Sequence, residues 1–211
     1  MKYHKIPDET ISRLPIYLRE LLRLSEKGMR NISSKLLAEL LGFNSAQIRK
    51  DFSYFGGFGT RGVGYEIDDL IQNIKKILKL NVVCKTALVG VGNLGSAILQ
   101  YSGFEIYGLD IKAAFDIAPY RLGKVINGIK IESISKLAEL KRRKIEIAIL
   151  SVPRNAAQET ADILVNAGVS GILNLTPARL VVPQNVKVIT LDIAMYLARL
   201  PYYMSGKIKM I

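Results

Sequence analysis

The sequence predicts an α/β protein in which a small helical domain with a glycine-rich hairpin precedes a doubly wound parallel sheet. Three observations carry this reading. Through the first 80 residues apolar side chains recur mostly at spacings of three and four, the mark of amphipathic helices. Beyond Leu80 short continuous runs of Val and Ile alternate with amphipathic segments, as in a sheet buried on both faces. Where the first of these runs ends stand Gly90, Gly92 and Gly95, spaced as a phosphate-binding turn requires. The expected domains are therefore 1–80 and 81–192, with residues 193–211 forming a terminal helical segment.

Each element has its own local reason. Ile11, Leu14, Leu18, Leu21, Leu22 and Leu24 place a helix over residues 8–26, with Pro15 expected to end a first turn or kink it. A second helix begins at Ser33 or Ser34, either of which can cap it, carries Leu36, Leu37, Leu40 and Leu41, and stops at Gly42. Asn44 and Ser45 cap a third, running to about Phe55. The stretch GGFGTRGVGY, residues 56–65, is too glycine-rich for a helix and is spaced like a hairpin tip. Asp68 and Asp69 open a further helix through Lys79. In the second domain strands are expected at 86–91, 111–116, 145–152, 171–175 and 186–191, and helices near 93–102, 135–143 and 156–167.

Composition narrows the setting. Of 211 residues 49% are hydrophobic, enough for a buried core and too many for a disordered chain. No apolar run reaches the roughly 20 residues that span a bilayer, and residues 1–24 lack a signal-peptide pattern. The single cysteine, Cys84, excludes an internal disulfide and reads as core. The expectation is a soluble cytoplasmic protein with no membrane partner. A net charge of +12 favours polyanionic partners. That signal is diffuse, since residues 1–80 hold 14 basic against 9 acidic side chains and the remainder 16 against 9.

A sharper indication is the register of Ala38, Gly42 and Ile48: a small residue where two helices cross, a turn glycine, and an inward anchor on the following helix. This is the pattern of a helix-turn-helix. With Ile48 inward, Ser45, Gln47, Arg49, Lys50 and Tyr54 are left to reach base edges and phosphates of double-stranded DNA. The bland alternative is a solvated face on a helical bundle. The hairpin argues against it, because Arg61 at its tip suits the minor groove of a duplex held by a winged motif.

The string ALVGVGNLG sets a buried strand directly against a G-x-G-x-x-G turn and a helix start. Gly90, Val91, Gly92, Asn93, Leu94 and Gly95 are thus expected to hold a dinucleotide pyrophosphate, aided by the amide groups opening the helix. Asp116, 21 residues after Gly95 at the end of the next strand, is the candidate for the adenosine ribose, and its charge favours NAD over NADP. Asp110 is a weaker competitor because it precedes that strand. Ser151, Val152 and Pro153 end what reads as the central third strand and are candidates to line the ligand, while Pro153 equally suits termination of the strand ahead of an Asn155 cap. Turn and packing roles for the glycines are the plain alternative. The only histidine is His4, so the general acid/base most often used for hydride chemistry is missing, and Tyr101 or Lys124 would have to replace it. No catalytic residues and no metal site are expected. An NAD-dependent oxidoreductase with a helical appendage, or a regulator binding coenzyme A or another nucleotide, are the alternative readings.

Taken together, SAQIRKDFSYFGGFGTRGVGY, ALVGVGNLG, AAFD, ILSVP and LDIA, in this order along essentially the whole chain, resemble the redox-sensing transcriptional repressors called Rex. The resemblance implies a winged-helix domain joined to a Rossmann domain in a homodimer. Members bind a palindromic operator, are released by NADH, and repress genes of fermentation and respiration when NAD⁺ dominates. It places the reading helix on residues 45–54, with Arg49 and Lys50 prominent, and the wing arginine on Arg61. The cofactor phosphates fall on Gly90–Gly95, the ribose on Asp116, and the nicotinamide region on Ser151–Pro153. Arg19, Tyr101 and Asp192 match the family's coupling residues. The last helix, residues 192–204, would be swapped between subunits, while the basic tail GKIKMI departs from the family pattern.

Overall fold

A computed structural model describes residues 6–60 and 63–204. The chain divides into two compact units, Met1–Val82 and Val83–Ile211. Arg61, His4 and the basic tail lie outside the described residues.

The first unit contains helices α1 (Asp8–Glu26), α2 (Ser34–Leu41), α3 (Ser45–Ser53) and α4 (Ile67–Ile77), with two short strands, β1 (Asn31–Ile32) and β2 (Tyr65–Glu66), paired antiparallel. Pro15 does not end α1, which runs through it without a break in helical structure. The missing amide removes one bond, but Leu14, Tyr17, Leu18 and Leu21 on either side are completely buried and hold the helix to the core. Ser33 caps α2 by accepting from the Leu36 amide at 3.1 Å, Gly42 closes it in the left-handed conformation, and Asn44 caps α3. Ala38 and Ile48 are both buried, as the helix-turn-helix register requires. Between α3 and β2, Thr60 and Gly64 form an isolated antiparallel bridge at the base of a hairpin. Phe58 and Tyr65 at its two ends pack edge-on against Phe52 of α3 at 5.6 and 5.2 Å. The wing is thereby fastened to the helix it flanks.

In the second unit strands β3 (Cys84–Val89), β4 (Leu109–Asp116), β5 (Val125–Ile126), β6 (Ile129–Ser133), β7 (Ile147–Leu150), β8 (Gly171–Asn174) and β9 (Lys187–Thr190) form one sheet in the order β5-β6-β4-β3-β7-β8-β9. All neighbours are parallel except the β5–β6 hairpin. Side chains alternate between faces. Val89, Phe115 and Leu150 pack with Ala157, Ala161 and Leu164 of α6 (Ala157–Asn166), whereas Leu88, Ala114 and Ile149 face the opposite layer with Leu99 of α5 (Asn93–Leu99). The sheet is doubly wound.

Three sequence expectations need correction here. The β5–β6 hairpin was not expected, and counting β6 makes β7 the fourth parallel strand, not the third. Its turn, Asn127–Gly128, has both residues at positive φ, the conformation that tight hairpins favour. The expected helices near 93–102 and 135–143 are shorter or tighter: α5 stops at Leu99 and a 3-10 turn covers Ser102–Tyr107, while the segment Ile134–Glu139 is 3-10 throughout. The terminal helix is two pieces, α7 (Ile193–Leu197) and α8 (Leu200–Tyr203). Pro201, which has no amide to donate backward, stands in the first turn of the second piece. No residue of α7 or α8 is buried within this chain, and Ile193, Met195, Leu197 and Leu200 are all exposed.

Candidate functional site

Two sites emerge, one in each unit. In the first, α3 turns Ile48, Asp51 and Phe52 into the core and leaves Arg49 and Lys50 exposed. Arg49 Nη1 donates to Ser34 Oγ at 3.1 Å, which sets the guanidinium beside the start of α2. Ser33, Ser34, Arg49 and the wing residues Phe58, Thr60 and Val63 surround a concavity of about 530 Å³. It can receive a sugar-phosphate backbone, with hydroxyls and a cation on its rim. Ser45 and Tyr54 are half-buried at the two ends of the helix. Gln47 is placed differently from the expectation of a free base-reading side chain. Its amide nitrogen donates to Asp51 Oδ1 at 2.9 Å, so it helps to hold a core carboxylate.

That carboxylate is an unforeseen feature. Asp51, fully buried, accepts from Thr10 Oγ1 at 3.0 Å, Tyr17 Oη at 2.6 Å and Arg13 Nε at 2.6 Å, besides Gln47. Burial pushes its pKa up, but the bonds from Arg13, Tyr17, Gln47 and Thr10 outweigh that and hold it at about 2. Burial and the neighbouring carboxylate push the Tyr17 hydroxyl well above its ordinary value. The network fixes the base of α3 to α1.

In the second unit the glycine turn joins β3 to α5. Gly90 has φ +93°, and a Cβ there would stand 2.2 Å from the Ser151 carbonyl oxygen. A Cβ on Gly95 would stand 2.1 Å from the Gly90 carbonyl oxygen, so the helix can approach the turn only without a side chain. A Cβ on Gly92 would meet nothing within 4 Å, since this residue faces open space. The three glycines therefore divide the work as a dinucleotide turn demands: tight bend, ligand approach, helix packing.

The open space is a cavity of about 490 Å³. Gly90, Gly92, Asn93, Leu94, Asp116, Ser151, Val152 and Pro153 all line it, while Val91 and Gly95 lie buried in the turn. It sits at the carboxyl ends of β3, β4 and β7, where the strand order reverses, the expected ligand position in an open α/β sheet. Asp116 is nearly buried, and each of its oxygens is engaged. Val91 N donates to it at 2.7 Å, Ala118 N at 2.8 Å, and Arg121 Nη1 at 3.0 Å. Burial raises its pKa, and these donors more than reverse that, so it stays below the ordinary carboxylate range. Asp110 is at the other end of β4, paired with Lys112 at 2.6 Å, and takes no part.

Sequence reasoning missed Arg121, and it missed Ile117, Ile134, Glu159, Thr160 and Ile163, which complete the cavity wall. A cation five residues after the strand-end acid was the available signal for Arg121. The aliphatic members carry no signal beyond their hydrophobicity. Of the coupling candidates, Arg19 is exposed on α1 in the first unit. Tyr101 is 62% exposed and packs edge-on against Phe104 at 5.2 Å. Asp192 caps α7 by accepting from Ala194 N at 2.9 Å.

Comparison with known proteins bears on both sites. A family model described as a putative DNA-binding protein N-terminus matches residues 5–53, and one described as a CoA binding domain matches residues 81–178. The chain is 44% identical over 203 residues to a redox-sensing transcriptional repressor Rex of Lactobacillus gasseri, covering 96% of this chain and 95% of that protein. It is also 44% identical over 207 residues to the protein of the same description from Syntrophobacter fumaroxidans, covering 97% and 99%. Among solved structures, RSP in complex with β-NAD⁺ and operator DNA matches with a TM-score of 0.90 at 37% identity, covering 96% of this chain and 94% of that one. RSP in complex with β-NADH matches at 0.86 and 36%, covering 96% and 95%. RSP is itself described as a Rex-family repressor. With near-full-length identity of this order, and a helix-turn-helix and a dinucleotide turn in the same chain, this protein belongs to the Rex family of redox-sensing transcriptional repressors.

Proposed function

We propose that this protein represses transcription as a homodimer on a palindromic operator, carries NADH or NAD⁺ in the cavity at the ends of β3, β4 and β7, and leaves the operator when NADH is bound. One observation carries the reading. A reading helix with exposed Arg49 and Lys50 and a cavity floored by a glycine turn occur in a single chain. That RSP was solved with NAD⁺ and operator DNA, and with NADH, supports it.

The residues take the following roles. Ser45, Arg49, Lys50 and Tyr54 meet the duplex, with Arg61 in the wing, and Gln47 acts through Asp51. The amides of the Gly90–Gly95 turn hold the pyrophosphate, Asp116 with Arg121 the adenosine ribose, and Ser151, Val152 and Pro153 the side of the cofactor facing β7. The bound nicotinamide supplies the signal: a flat cationic ring when oxidised, a neutral puckered one when reduced. A two-fold dimer engages two half-sites only when its reading helices stand about 34 Å apart or a multiple of that. A cofactor shifts that spacing only through differential affinity for two arrangements of the dimer. Arg19, Tyr101 and Asp192 couple the sites, and the exposed apolar side chains of α7 and α8 are covered by the partner subunit. Among the described residues no helix is long and apolar enough to cross a membrane, and a repressor of this kind works in the cytoplasm beside its operator. The curated relatives are named repressors.

The test is operator binding with NAD⁺ and NADH supplied separately, at one stated salt concentration. NADH is expected to weaken binding and NAD⁺ to leave it intact. Equal operator affinity in both forms would overturn the proposal.

A further inference from the structure

The amide of Gln47 is held at its nitrogen end, where Nε2 donates to Asp51 Oδ1 at 2.9 Å. That carboxylate is fully buried, takes further bonds from Thr10, Arg13 and Tyr17, and stays ionised, so it can only accept. The amide therefore stands one way round, nitrogen toward Asp51 and Oε1 away from it. Among the described residues no buried side-chain nitrogen or oxygen lacks a partner, and Oε1 of half-buried Gln47 accepts from none of them, so this oxygen is open to solvent. Gln47 is the third residue of α3, and in a helix-turn-helix the residues opening the second helix are those that meet base edges. In the major groove adenine N6 and cytosine N4 donate, whereas guanine O6 and thymine O4 accept. A glutamine free to turn its amide serves either set. One oriented by a carboxylate serves the donors, because its oxygen set against O6 or O4 would bring two acceptors together.

We infer that Gln47 Oε1 reads one exocyclic amino group in the major groove of each half-site, adenine N6 or cytosine N4, with Asp51 as the positioning residue that orients its amide. The inference rests on the repressor reading above and deepens it. Gln47 is thus a reader held in place, and not the free side chain expected from sequence.

The test uses full-length wild type, Gln47→Ala and Gln47→Met, and a duplex that the wild type selects from a random-sequence library. Single base-pair changes along that duplex are titrated by fluorescence anisotropy at one salt concentration. Wild type is expected to show one pair per half-site whose change costs about tenfold in affinity and whose cost falls below about threefold in both variants. Methylating the amino group of that pair, at adenine N6 or cytosine N4, fills its major-groove side and is expected to cost the wild type about tenfold and the variants less than about threefold. The salt dependence is expected to stay unchanged, since the lost side chain carries no charge. A Gln47 that only supported Asp51 would weaken binding to every sequence alike. Methionine keeps the length of the side chain without an acceptor, so the test does not depend on the smaller variant folding. Base preferences identical to wild type in the variants, or a wild type indifferent to methylation at the pair they cease to discriminate, would overturn the assignment and leave the repressor reading standing. Failure of the wild type to select any sequence would overturn both.

Discussion

The phenolic hydroxyl of Tyr17 on α1 donates to the Asp51 carboxylate on α3 at 2.6 Å, inside the core of the first unit. Together with Arg13, Thr10 and Gln47 it makes the reading helix an extension of the longest helix in that unit. Tyr17→Phe removes one donor and is expected to cost about 1–2 kcal/mol. Asp51→Ala leaves a cation and three neutral donors unpaired and is expected to cost roughly 3–5 kcal/mol. Urea unfolding followed by far-ultraviolet circular dichroism measures both. Equal losses for the two variants would contradict the network described.

The same carboxylate predicts an acid dependence. Its folded pKa of about 2 lies below its ordinary value of 3.8, so the ionised form is favoured by folding. The stabilisation, roughly 2 kcal/mol, is complete above about pH 4 and disappears as the pH falls through the folded value. Asp51→Asn does not titrate. The gap between wild type and this variant in thermal unfolding is expected to be largest near neutrality and to shrink between pH 4 and pH 2. A gap independent of pH would refute it.

Gly92 and Gly95 separate ligand approach from packing. Gly95→Ala sets a Cβ against the Gly90 carbonyl oxygen at 2.1 Å, and overpacking of this kind costs about 1–3 kcal/mol. Both thermal stability and NADH affinity are expected to fall. Gly92→Ala meets no protein atom within 4 Å, so stability is expected to hold while NADH affinity falls. Thermal shift and calorimetry on the same preparations discriminate the two, and undiminished NADH binding by Gly92→Ala would remove the pyrophosphate from that position.

Lys50 is exposed on α3 and has no role in the core. Lys50→Ala is expected to weaken binding to operator and unrelated duplex alike and to lower the salt dependence by about one ion. Fluorescence anisotropy at several salt concentrations reads both quantities. Weakening confined to the operator would instead make Lys50 a base-reading residue.

Asp192 calls for a particular substitution. Because its carboxylate caps α7, alanine would confound loss of charge with loss of the cap. Asp192→Asn retains a capping oxygen, and it is expected to bind NADH normally yet resist NADH-driven release from the operator. Ordinary release in a gel-shift titration would exclude this charge from the coupling.

What the sequence revealed was whatever depends on neighbours along the chain. Helical periodicity, the capping residues Ser33 and Asn44, and the glycine turn after β3 are local, and they fell where expected. Asn127–Gly128 was equally local and carries the hairpin signal, but it was passed over because the strands beside it are only two and five residues long. Asp51 was not legible as a core group. Its four partners are 4 to 41 positions away, and nothing in its immediate sequence separates a buried aspartate from a solvated one. The cavity wall was half legible, because Asp116 sits at a fixed distance from the glycines, whereas Ile117, Ile134 and Ile163 meet only once the sheet is wound. The break between Leu197 and Leu200 was not legible because apolar spacing continues across it.

The bond from Val91 N to Asp116 has a consequence for how this family branch can change. One carboxylate braces the glycine turn and, in the function proposed above, also stands beside the sugar, so a turn already held in shape loses less entropy when a nucleotide is captured. The cost is evolutionary. Exchanging that acid to admit a different coenzyme would also remove the acceptor of the Val91 amide and slacken the loop.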